Sequence, residues 1–152
     1  MTDDDLLALC VLEEAGAEVD DGKAAVARVI FNRMRLKYSS DGTIAGTVMK
    51  YDQFSWAWFS FVNGHYTRVA DTVEQATAIA ERKLAAALPG AIANCGRIAQ
   101  EVQAGTYHGP LYDKLTDDAV LYLNPHILHR LPSWATPDKL VCVIERHFFY
   151  HA

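Results

Sequence analysis

Leu6-Leu7-Ala8-Leu9-Cys10-Val11-Leu12-Glu13-Glu14 is the stretch that decides the fold. It is apolar on nearly every side of a helical wheel, so a helix here has to sit in the centre of a domain rather than on its surface. Asp3 or Asp4 is placed to cap it, the pattern predicts a helix over 5–14, and Gly16 marks its end. The apolar run is too short to span a membrane. The residues before it, Met1-Thr2-Asp3-Asp4-Asp5, are acidic, the reverse of a secretory leader. Synthesis in the cytoplasm without a signal peptide is therefore expected, with no membrane partner.

Outward from this helix the chain reads as mainly helical. Asp20 or Asp21 is expected to cap a second helix over 23–36, in which Ala27, Ile30, Phe31 and Met34 form a core-facing stripe. Ser39-Ser40-Asp41-Gly42 is a loop and 43–50 a short third helix. The aromatic segment 51–59 fits neither the helical nor the strand period, and Asn63-Gly64 closes it with a turn. Asp71 with Glu74 three residues on suggests a capping box for an alanine-rich helix ending at Pro89-Gly90. A further helix over 91–104 stops at Gly105, and 106–118 reads as loop. The last quarter is loop with short extended pieces at 120–123 and 141–144. The expectation is one domain over 1–152, mainly α with some β (α+β).

The composition fits this. The 152 residues are 51% hydrophobic and 22% charged, normal for a chain that buries a core. A net charge of -5 argues against nucleic acid, which calls for a concentrated basic face. Cys10, Cys95 and Cys142 are odd in number and far apart, and read as buried thiols rather than a disulfide framework.

Three groups of residues could carry chemistry. The first is the carboxylate pair Glu13-Glu14. Leu7, Cys10, Val11 and Glu14 form one helical stripe, and Leu6, Leu9, Cys10 and Glu13 form another, so spacing alone does not choose between the two glutamates. Either would sit among apolar neighbours, where a carboxyl is pushed toward the protonated form that a general acid needs. The second is the block Tyr51, Gln53, Ser55, Trp56 and Trp58. Aromatic faces stack on the C–H faces of sugar rings, while amides and hydroxyls orient them. Phe54 is expected in the core and Gln53 in a cleft. The third is histidine. His126 and His129, and His147 and His151, have spacings that suit zinc, with Cys142 or Glu145 nearby. His129 lies in a loop and His151 beside the C-terminus, so no metal and no cofactor is expected.

Glu14-Ala15-Gly16-Ala17-Glu18, then Gly22 and an alanine/valine-rich helix closing in Asn32-Arg33, resembles the opening of the SleB-type cell-wall hydrolase family. Further matches follow in order: Gln53-Phe54-Ser55-Trp56, Ile98-Ala99 with Gly105, Tyr122-Leu123-Asn124-Pro125, Trp134, and His147-Phe148-Phe149-Tyr150. The chain departs from the pattern at Gly16-Ala17, where the usual order is reversed, and at Leu123, where the family often has histidine. Segment 72–90 looks like an added or lengthened helix.

The resemblance implies a lysozyme-like domain that degrades peptidoglycan glycan strands, as a lytic transglycosylase of phage-endolysin type acting on the bacterial cell wall. In its register the catalytic residue is Glu14. It places Glu18, Gln53, Ser55, Trp56, Tyr122, Asn124, His147 and Tyr150 in the substrate cleft, on a monomer without cofactor. A zinc amidase and an inactive wall-binding or phage structural domain are the alternatives.

Overall fold

A computed structural model of the chain describes residues 1–51 and 53–152. Helix α1, Asp3–Ala15, runs through the centre, with Leu6, Leu7, Leu9, Cys10 and Val11 all buried. Each large aliphatic side chain so buried is worth about 1.5–3 kcal/mol, which makes this helix a principal source of the fold's stability. Its cap is Thr2, not Asp3 or Asp4. The Thr2 hydroxyl accepts from the Asp5 amide, and the Asp5 carboxylate accepts from the Thr2 amide. That reciprocal pair satisfies two amides at once, where a lone aspartate satisfies one.

Helix α2, Asp20–Leu36, starts earlier than its apolar stripe suggests, and neither Asp20 nor Asp21 caps it. Asp21 instead lies in the first turn and reaches the loop after α5, accepting from the Tyr107 hydroxyl (2.8 Å) and the Leu111 and Tyr112 amides (2.8 and 3.0 Å). Gly109 passes so close that a Cβ there would collide with the Asp21 carboxylate. Helix α3 is Ile44–Val48, capped by Thr43.

The aromatic segment becomes a 3-10 turn, Ser55–Ala57, followed by a hairpin that the aromatics had obscured. Strands β1, Phe59–Val62, and β2, His65–Arg68, pair across Asn63-Gly64, both of which have positive φ (52° and 78°). Asn-Gly is the pair that adopts this two-residue turn at least cost. Helix α4, Val73–Ala86, is capped by Thr72 rather than Asp71. The Asp71 amide instead donates to the Gln75 side chain. Of α4 only Ala76 and Ala80 are buried, so it lies on the surface. Pro89 begins helix α5, Pro89–Ala104, instead of ending α4, and α5 stops at Gly105 with φ 73°.

The C-terminal part is a three-stranded antiparallel sheet, order β3-β5-β4, with β3 Ala119–Leu123, β4 Leu140–Ile144 and β5 His147–His151. The closing His-Phe-Phe-Tyr run is thus its central strand. Asn32 and Arg33, at the end of α2, lock this sheet to the helices. The Asn32 amide donates to the Thr116 and Ala119 carbonyls, and the Arg33 Nε to the Val120 carbonyl at 2.6 Å.

Candidate active site

Burial of α1 ends abruptly at its last turn, where Glu13 and Glu14 meet an open cleft of about 420 Å³. Glu14 stands on the floor. Its Oε2 accepts a 2.6 Å hydrogen bond from the Tyr122 hydroxyl on β3, which the Asn32 and Arg33 contacts hold in place. Burial pushes the Glu14 carboxyl up from its ordinary value. The Tyr122 bond and the Arg33 guanidinium pull it the other way without cancelling the effect. Arg33 is itself buried, spanned by the Gln53 amide oxygen and the face of Phe54. The result is a half-buried carboxyl that holds its proton longer than a solvated one, with one hydrogen-bond donor fixing its orientation.

Glu13, the next residue, has a different environment. Its Oε2 takes the Lys83 ammonium of α4 at 3.1 Å. The choice that spacing left open therefore has a structural discriminator: Glu13 is spent on an ion pair, and Glu14 is not.

Glu18, in the α1–α2 loop, also lines the cleft, with its side chain only 8% exposed. Burial and the neighbouring Glu145 carboxyl push it up, whereas Glu145 is held down by the same contact. Gly22 lets this loop close: a Cβ there would lie 2.9 Å from the Cβ of Glu18. His147 faces Glu18 across 3.9 Å and packs edge-on against the Tyr122 ring. It is buried, burial and Arg146 lower its basicity, and its Nδ1 has no hydrogen-bond partner among the described residues. Ser55, Trp56, Tyr122 and Asn124 complete the walls, and the Asn124 side-chain Oδ1 accepts from the His126 backbone amide at 3.0 Å.

Two expected cleft residues are elsewhere. Gln53 does not line the cleft, because its amide oxygen is turned to Arg33 at 3.3 Å. Tyr150 lies on the far side of the sheet against Trp134, ring centres 5.4 Å apart. Strand alternation forces this, since residues 147 and 150 of one strand face opposite ways. Conversely, Ile127 and Leu128 line the cleft and were not anticipated; no local pattern in the sequence distinguishes them from core or loop residues. The histidines of the zinc alternative are dispersed. His126 and His129 are exposed, His147 stands in the cleft wall and His151 bonds the Ala152 carbonyl. Among the described residues no three His, Cys, Asp or Glu side chains come together as a metal ion would need.

A buried helix that delivers one carboxyl to the floor of a cleft walled by aromatic and polar side chains defines a lysozyme-like enzyme fold. The chain belongs to the cell wall hydrolase family, which residues 17–150 match, and peptidoglycan is its substrate. The match begins just after Glu14, so α1 lies upstream of it. No curated protein sequence matches the chain. In structure it is similar to the catalytic domain of the germination-specific lytic transglycosylase SleB from Bacillus anthracis. The TM-score is 0.61 at 20% identity, with 97% of this chain and 93% of that one covered.

Proposed function

We propose that the chain cleaves the bond between N-acetylmuramic acid and N-acetylglucosamine as a lytic transglycosylase, with Glu14 as its one acid/base and residues 1–152 acting as one catalytic unit. The observation that carries this reading is the division of labour among the three cleft glutamates. Glu14 is poised to give a proton. Glu13 is committed to the Lys83 ammonium. Glu18 is engaged within the α1–α2 loop, its carboxyl in contact with Glu145 and facing His147 at 3.9 Å. Direct hydrolysis needs a second ionised carboxyl across the bond, as base or nucleophile.

With Glu13 and Glu18 both engaged by other side chains, the substrate supplies the missing groups. Glu14 protonates the glycosidic oxygen as its bond to the muramic C1 breaks, and the muramic N-acetyl oxygen stabilises the developing cation. The C6 hydroxyl of the same sugar then closes on C1 and returns a proton to Glu14, leaving a 1,6-anhydro end and the free enzyme. An intramolecular nucleophile needs no bound water. Trp56, Ser55, Tyr122, Asn124 and His147 would hold the sugars, with the His147 Nδ1 available to an acetamido N–H. The similarity to a lytic transglycosylase supports the same reading. Digestion of purified peptidoglycan in ¹⁸O-water, followed by mass spectrometry, tests it. Unlabelled muramic ends, lighter by one water, are expected; labelled reducing ends would assign a second carboxyl and a muramidase.

A further inference from the structure

The cleft does not end at Trp56. A second depression of about 560 Å³ continues from it, sharing Glu13, Ser55 and Trp56 with the first. One wall is the β1–β2 hairpin, presenting Phe59, Phe61 and Tyr66; the other is α4, presenting Ile79, Arg82 and Lys83. Phe61 and Tyr66 are more than 60% exposed, with ring centres 4.7 Å apart, and with Phe59 at the edge of Tyr66 they make an apolar shelf open to solvent. The opposite rim is cationic, in a chain whose net charge is -5. Lys83 is answered by Glu13, but no carboxylate among the described residues lies within ion-pair distance of Arg82.

We propose that this arm receives the peptide stem of the muramic acid held in the cleft, with Arg82 pairing a stem carboxylate. The inference rests on the cleft being the glycan site. Three observations support it over a further run of sugar. The arm branches from the cleft at Trp56, as the stem branches from the strand at the lactyl group. Its shelf suits small alkyl side chains. In a stem-bearing strand the sugars are N-acetylated and the lactyl carboxyl is amidated, so Arg82 finds no carboxylate on them, whereas the stem carries free carboxylates. Helix α4 thereby gains a role: it brings to the cleft a charge that the other walls lack.

Equilibrium binding in the Glu14→Gln background reads this without cleavage. The probes are a disaccharide-tetrapeptide and the same disaccharide with its lactyl carboxyl capped as a methylamide, so that no carboxylate remains. The tetrapeptide form is expected to bind about tenfold more tightly, the weight of one hydrogen bond to a charged group. Arg82→Glu removes that preference and Arg82→Lys keeps most of it. A preference that survives Arg82→Glu, a proportional loss for both probes, or no binding of either overturns the proposal. Fragment release from peptide-free glycan strands by the unaltered enzyme reads the Glu14 chemistry separately, since those strands carry no stem to fill the arm.

Discussion

At the scale of single residues the site depends on what surrounds two adjacent glutamates. Glu14→Gln keeps the side chain's shape but removes the transferable proton, so lytic activity should fall by roughly 10²-fold or more, as read by turbidity of a peptidoglycan suspension. Glu13→Gln should retain most activity, because Glu13 serves Lys83; the reverse pattern would move the acid to Glu13. The same Glu14 variant should melt a few degrees higher at neutral pH. Folding raises the Glu14 carboxyl above its ordinary value of 4.5, so the fold favours the protonated form. That favour is full below the ordinary value and is lost as pH rises through the folded one, leaving the charged form a cost at neutrality. A lower melting temperature would show that the carboxylate is stabilising. Tyr122→Phe acts on the same equilibrium. The lost hydroxyl was pulling the Glu14 carboxyl down, so the alkaline limb of the kcat/KM profile should move to higher pH. A limb that stays in place or moves down would free Glu14 from Tyr122.

At the scale of elements, the joints between helices and loops matter more than the helices themselves. Asp21 ties α2 to the 107–112 loop through three hydrogen bonds. Burial pushes its carboxyl up, but those bonds outweigh it and hold it below the usual 3.8. Asp21→Ala leaves two amides and a hydroxyl unpaired and should cost on the order of 3 kcal/mol, or about 10 °C in Tm at pH 7. The bonds favour the charged form, so the gap between the two proteins should narrow as pH falls below 3.8 and persist above it. A constant gap down to pH 2 would mean that Asp21 acts by packing alone.

Asp21 also shows what was legible beforehand. An aspartate before an apolar helix reads as a cap; its actual partners are residues 107, 111 and 112, which no local pattern links to it. The buried first helix was readable because its apolarity is contained within one segment, and so was the Asn63-Gly64 turn. The hairpin around that turn was not, because β1 and β2 are largely exposed and carry no alternation. Glu14 is proposed as the acid on a family pattern rather than on spacing. The misplacement of Tyr150 came from treating a motif as a patch, although a strand turns alternate members of the motif to opposite faces.

At the scale of the whole molecule, one continuous core of α1, α2, α5 and the β3–β5–β4 sheet supports a cleft on one side. Every proposed catalytic group comes from the chain or the substrate, and the histidines stand apart. Lysis should therefore survive EDTA, and metal analysis of the active protein should find well under one zinc per chain. Loss of activity on chelation, restored by zinc, would transfer the chemistry to an amidase. No described helix is long and apolar enough to cross a membrane.

Cys10 sits one helical turn before Glu14 with no exposure to solvent, and burial pushes its thiol well above the usual range. Cys95 is buried too, and Cys142 lies partly covered on the sheet. A thiol that neither ionises nor meets another thiol is inert toward oxidants and disulfide exchange. The thiol on the helix that carries Glu14 is thus insulated from redox potential.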